Sequence, residues 1–131
     1  GERPAAQMPP RRYTSGDGFS VLIGRNNKQN DRLSLRQAQA DDIWLHTQNI
    51  PGSHALILSQ GKEIPETTLR QAAAWAAWFS RARDSAQVPV DYLSAGKLKK
   101  PPGAPPGYVI YSGQRTLYVK PEAPPEEEDK F

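Results

Sequence analysis

Asp41–His54, DDIWLHTQNIPGSH, is the stretch that decides the fold of this chain. Both histidines of the protein, His46 and His54, fall inside it, with two aspartates, a tryptophan and a Pro-Gly step. Ile43, Trp44 and Leu45 in a row are too apolar for a surface loop, and Asp42 and His46 beside them are too polar for a plain core strand. The segment reads as a buried strand, Ile43–Leu45, and a turn at Asn49-Ile50-Pro51-Gly52. Pro fits the second position of a type II turn there and Gly the third. His54–Leu58 (HALIL) then reads as an apolar central strand, closed by Gln60-Gly61-Lys62.

Working upstream, Arg11–Ser15, Gly16-Asp17-Gly18 and Phe19–Gly24 read as strand, tight turn and strand, because Asp-Gly suits the positive φ of a hairpin turn. Arg25–Asp31 (RNNKQND) is wholly polar and reads as an exposed loop. Asn30 or Asp31 can cap a short helix whose apolar positions are Leu33, Leu35 and Ala38. Downstream, Pro65–Arg83 is the one long helix. Pro65 lies near its first position and Glu66 at the end where the dipole favours an acid. Leu69, Ala72, Ala73, Ala76, Phe79 and Ala82 recur at helical spacing, flanked by Trp75 and Trp78, so an alanine face should pack closely on a sheet. Val88–Leu93 (VPVDYL) is strand-like, with Pro89 at an edge or a strand start. Ser94–Pro106 (SAGKLKKPPGAPP) is a long Lys, Pro and Gly loop of a kind that is often functional. Tyr108–Tyr111 and Thr116–Lys120 are expected to pair as a final hairpin. The fold class is therefore α+β: an antiparallel sheet with one long and one short helix packed on it.

At 131 residues the chain is one domain. A flexible segment is expected over 1–11, the domain over 12–120 and a flexible Pro/Glu-rich acidic tail over 121–131. No apolar run approaches the ~20 residues of a membrane helix, and the first residues lack an apolar signal core. The chain has no cysteine, which excludes disulfides and thiolate metal sites. A cytoplasmic protein without membrane association is expected. The whole chain carries +3, but Glu122, Glu126, Glu127, Glu128 and Asp129 against Lys130 give the tail −4, which leaves +7 on residues 1–120. A basic body favours a polyanion such as RNA.

Three chemistries compete for the polar residues. Asp42, His46 and His54 could supply a carboxylate and two imidazoles to a metal-dependent hydrolase or nuclease. In a strand Asp42, Trp44 and His46 share one face, yet carboxylate–histidine pairs form as readily to fix a ring tautomer. Ser53 beside His54 is a sequence neighbour rather than a triad, and no nucleophile elbow, P-loop or Rossmann pattern occurs. Nucleic acid is the better reading. Arg25, Lys28, Lys97, Lys99 and Lys100 can meet phosphates, Asn26, Asn27 and Asn30 can hydrogen-bond to RNA, and Trp44, His46, Tyr92, Tyr108 and Tyr111 can stack on unpaired bases. The bland readings stand beside these: a solvated loop over Arg25–Asp31, a soluble flank over Lys97–Lys100, a core Trp44 and a structural His54.

DGFSVLIGRNNKQND, DDIWLHTQNIPGSHALI, FSRARDSAQVPVDY and LKKPPGAPPGYVIY together closely resemble the NFACT-R domain, the RNA-binding module of the NFACT family, over residues 12–120 in chain order. The resemblance carries Gly24, Arg25, Asn26, Asn27, Lys28, Asn30 and Asp31 from the first motif. It carries Asp42, Trp44 and His46, then Pro51, Gly52, Ser53 and His54, from the second, and Lys99, Lys100 and Pro101 from the last. It implies a non-enzymatic RNA-binding module without cofactor or metal, with Asp42 orienting His46 and His46 and Trp44 forming a pocket wall. Its implied partners are tRNA, the large ribosomal subunit and the other domains of a longer NFACT protein. The setting is ribosome-associated quality control, with C-terminal alanine tailing of stalled nascent chains. Some members have long been labelled fibronectin-binding, so a surface adhesin is a further alternative, against which the basic body and missing signal segment speak. GAPPGYVIY is richer in proline than the family pattern, which stiffens that loop.

Overall fold

Six strands make one antiparallel sheet in a computed structural model that describes residues 8–128. Residues 1–7 of the expected flexible segment and 129–131 of the acidic tail lie outside that range. The strands are Arg11–Thr14 (β1), Ser20–Ile23 (β2), Ile43–Thr47 (β3), Ala55–Ile57 (β4), Val88–Ser94 (β5) and Arg115–Val119 (β6), in the order β1-β2-β4-β3-β5-β6. The helices are Asn27–Arg32 (α1) and Glu66–Trp78 (α2). The class is α+β, as the sequence implied.

Both faces of the sheet are covered, which explains why Ile43, Trp44 and Leu45 run apolar without a break. On one face Leu45, Ala55, Ile57, Val88 and Val90 pack against α2, where Ala72, Ala73, Ala76 and Ala77 are fully buried. Alanine favours the helix and lets its axis approach the sheet closely. Trp75 does not flank this face; it is 2% exposed and packs on Tyr13 at 5.6 Å. On the opposite face Trp44, Leu56 and Leu93 form a smaller cluster with Leu33, Ala95, Val109 and Tyr111. This second layer consists of α1, the π-helical turn Leu33–Gln37 that follows it, and the loop that runs back from β5.

Several local expectations are corrected. Arg25–Asp31 is not an exposed loop. Asn26, rather than Asn30 or Asp31, caps α1 by accepting the Gln29 N–H at 2.9 Å. Gln29 and Asn30 are buried because their amides serve the backbone: Gln29 Nε2 donates to the Met8 carbonyl and Asn30 Oδ1 accepts the His54 N–H. The type II turn does not form either. Asn49 takes the positive φ, 54°, while Gly52 is needed for space, since a Cβ there would come within 2.9 Å of Ser80 Cβ and Thr47 Oγ1. α2 stops at Trp78, where Arg83 Nε caps the Trp78 carbonyl at 2.6 Å. The final hairpin is absent: β6 pairs with β5, and Ile110 instead bridges Lys99. Pro89, the second residue of β5, stands at a strand start but not at an edge, since β5 lies between β3 and β6.

Candidate nucleic-acid interface

The second face of the sheet is capped by α1 at one end and open at the other. Period-two alternation points Trp44 and His46 of β3 and Asp91 of β5 to this side, and the register sets His46 opposite Asp91 and Asp91 opposite Thr116. Around this row lies a cleft of about 660 Å³, flanked by Ile50 and Pro51 on one side and by Tyr108, Ile110 and Tyr111 on the other.

Asp91 is the polar hub. It is 3% exposed and accepts from Gln48 Nε2 at 2.9 Å, Thr116 Oγ1 at 2.9 Å and the Tyr111 hydroxyl at 2.8 Å. Burial, together with the bond to this carboxylate, pushes the Tyr111 phenol up. Trp44 forms the back wall, with His46 stacked at 5.8 Å and Tyr111 edge-on at 5.0 Å. Trp44 is 1% exposed, so it supports the aromatic wall but is not itself a stacking platform. Tyr92 packs on the α2 side and has no part in the cleft.

The expected pairing of Asp42 with His46 is not found. Asp42 accepts the Gln39 N–H at 2.8 Å and the Ser59 N–H at 2.9 Å, so its carboxylate ties backbone together. His46 instead lies beside the backbone of Gly52 and opposite Asp91. The metal site of Asp42, His46 and His54 is thus not assembled, and among the described residues no three His, Asp or Glu side chains are placed to hold a metal.

His54 has a structural part. Trp44 Nε1–H donates to Ser34 Oγ at 2.8 Å, so the Ser34 proton is directed to His54 Nδ1 at 2.7 Å. The other ring nitrogen is left to donate, a tautomer assigned from the network, with the Gly107 backbone as a partner. Burial first, then the neighbouring His46, pushes the His54 ring down to about 3. Burial also lowers His46. The unfolded chain therefore binds protons that the folded one refuses. The His54 contribution to stability is complete above about pH 6.5 and is lost as the pH falls toward 3. At roughly 1.4 kcal/mol per pH unit, urea unfolding at pH 5 should show about 2 kcal/mol less stability than at pH 7. His54→Gln should flatten that slope, and an equally steep variant would remove His54 as its source.

The cations divide into two groups. Lys28, Lys97 and Lys99 are exposed, as is Arg32 on α1. Lys100 is not free for phosphate, because it donates to Asp31 Oδ1 at 2.7 Å and to the Pro105 and Tyr108 carbonyls. That ammonium holds the Asp31 carboxyl below its ordinary range and locks α1 to the loop. Arg25 is also engaged: its side chain is 13% exposed, donates to the Pro9 carbonyl at 2.7 Å and pairs with Glu127 of the acidic tail. Glu128 bonds to Thr14 and to the Arg12 carbonyl, so residues 127 and 128 lie along β1. Asn27 is exposed and packs against Gly107, whereas Asn30 is buried at the His54 backbone. Ser53 is half-buried and its N–H donates to the Phe79 carbonyl at 3.1 Å. Of the residues singled out in the sequence, Trp44, His46 and His54 meet at the cleft, Asn27 packs on Gly107 at its edge, and Lys28, Lys97 and Lys99 are exposed outside its lining. Asp91, Gln48 and Ser34 were missed, although an acid inside VPVDYL and a serine between Leu33 and Leu35 were legible signals.

The model of the NFACT protein RNA binding domain matches residues 10–118. The chain belongs to this family. The Rqc2 homolog RqcH of Bacillus subtilis (strain 168) is 51% identical over 111 residues, which cover 85% of this chain and 19% of that protein. The Ribosome quality control complex subunit NEMF homolog of Drosophila melanogaster is 30% identical over 104 residues, covering 77% of this chain and 10% of its own. The chain thus spans about a fifth or less of these relatives. The C-terminal part of the fibronectin/fibrinogen-binding protein from Streptococcus suis has the same NFACT-R fold, with a TM-score of 0.85 and 42% identity over 92% of this chain and 49% of that one. Among the described residues, no helix is long and apolar enough to cross a membrane.

Proposed function

We propose that this NFACT-R domain is a non-catalytic RNA-binding module of a ribosome quality control factor. Its ligand is structured RNA, tRNA or rRNA, on an obstructed large ribosomal subunit, and the longer protein around it supports C-terminal alanine tailing. The observation that carries this reading is the cationic frame. The Asp31–Lys100 ion pair fastens α1 to the loop after β5, so exposed Lys28 and Arg32 stand on the same layer as exposed Lys97 and Lys99. Such a frame neutralises phosphates and releases their counterions. The names of the Bacillus and Drosophila relatives point to the ribosomal setting. Lys100, read from the sequence as a phosphate contact, serves here to hold the frame together, and Arg25 is turned to Pro9 and Glu127.

The test is binding of bulk tRNA across a salt series. The Lys28→Glu/Lys99→Glu variant should bind at least about tenfold more weakly and show a log–log salt slope shallower by about 2. Both positions are exposed, so its urea midpoint should stay near that of the parent. Unchanged tRNA affinity in this folded variant would overturn the frame as the RNA contact.

A further inference from the structure

The cleft differs in chemistry from the cationic frame. Among the described residues no lysine or arginine lines it, and its floor carries the buried Asp91 carboxylate. A phosphate entering there would meet an anion with no cation in the lining to offset the repulsion. The frame and the cleft therefore take different parts of a ligand.

The walls favour a flat group. His46 and Tyr111 both pack on Trp44. Tyr108 and Ile110, at 54% and 45% exposure, are two of the four large apolar residues that the described chain leaves exposed, and both stand at this one lip. Single exposed apolar residues are ordinary, whereas a pair at the mouth of an aromatic cleft offers a stacking surface.

The floor favours hydrogen-bond donors. A carboxylate has about four acceptor positions, and Gln48, Thr116 and Tyr111 fill three of those on Asp91. His46 lines the cleft, and a neutral imidazole ring has one acceptor nitrogen. A ligand seated here is flat and uncharged and brings N–H groups to two acceptors.

We propose that the cleft receives one unpaired nucleobase bearing an exocyclic amino group, turned out of the RNA whose phosphates lie on the Lys28–Lys99 frame. Adenine, cytosine and guanine have such a group and uracil does not. The inference rests on the RNA-binding reading for the source of the base, while the chemistry of the cleft selects which base enters. It adds Asp91 to the site as a specificity residue and assigns stacking to Tyr108 and Tyr111 among the aromatic residues read from the sequence.

Free nucleosides test the cleft without any phosphate. Adenosine titrated into isotope-labelled protein should shift the His46 and Tyr111 ring resonances, and uridine should do so about tenfold more weakly. Hexaadenylate should bind about tenfold more tightly than hexauridylate, and the exposed-site variant Tyr108→Ala should weaken hexaadenylate binding about tenfold. Equal responses to adenosine and uridine, or none, with tRNA binding retained, would overturn the cleft proposal and leave the RNA-binding reading in place. Adenosine-selective shifts with no tRNA binding at low salt would support a nucleobase cleft and overturn the RNA-binding reading instead.

Discussion

Asp42→Ala is expected to lower the unfolding free energy of the domain by about 3 kcal/mol, since a buried donor that loses its only partner costs about 1–3 kcal/mol. One such donor, the Ser59 amide, depends on this side chain, the part-buried Gln39 amide also donates to it, and Asp42 itself is 2% exposed. Alanine brings no acceptor to either and leaves a space where the carboxylate was. Asp42→Asn keeps one acceptor oxygen but turns its NH2 toward the other amide, so an intermediate loss is expected. Urea unfolding followed by tryptophan fluorescence measures both, because Trp44 and Trp75 are buried. A small loss, under about 1 kcal/mol, in Asp42→Ala would mean that the two amides do not rely on Asp42. The same variant, studied where it remains folded, should bind tRNA with parental affinity. A specific loss of binding would return Asp42 to the functional site, where the sequence had placed it beside His46.

That displacement of Asp42 shows where sequence reading reaches its limit. The apolar pattern was legible: the alanine spacing of α2 marks a helix against a sheet, and the unbroken Ile43-Trp44-Leu45 marks a strand covered on both sides. Polar residues carry no comparable signature of direction. Asp42 and His46 share a face of one strand, but the carboxylate set opposite His46 is Asp91, which comes from β5, 45 residues further along the chain. Gln29 and Asn30 sit in a stretch as polar as any solvated loop and are nonetheless buried, because their amides satisfy backbone groups that the fold encloses. Neither propensity nor periodicity registers such burial. Tyr108–Tyr111 alternates like a strand, yet Val109 and Tyr111 pack on the Trp44 cluster, so the segment crosses the second face and leaves β6 to β5. Misreading that segment hid the far wall of the cleft. Arg25 illustrates the same limit for charge: a basic motif residue is turned to Glu127 from the opposite end of the chain.

Gly24→Ala carries the second large effect, and its cause is space. A Cβ at Gly24 would stand 1.9 Å from Asn30 Oδ1 and 3.2 Å from Asn30 Cα. The contact is this close because three residues form a latch: the Gly24 N–H donates to the His54 carbonyl at 3.0 Å, and the His54 N–H donates to Asn30 Oδ1 at 3.2 Å. The added methyl displaces the Asn30 amide, so overpacking is joined by an unpaired His54 N–H. A loss of about 3 kcal/mol is expected. His54 bonds onward to Ser34, which accepts from Trp44, so a displaced latch also loosens the back wall of the cleft. Asn30→Ala alone should cost about 2 kcal/mol through the same orphaned N–H. In the double variant the clash has no side-chain amide to act on and the orphan is counted once. Gly24→Ala/Asn30→Ala should therefore lose clearly less than the two single changes added together, with a coupling of about 1–2 kcal/mol. Strict additivity would mean that Gly24 and Asn30 act separately, and α1 would then be joined to β4 by something other than this latch.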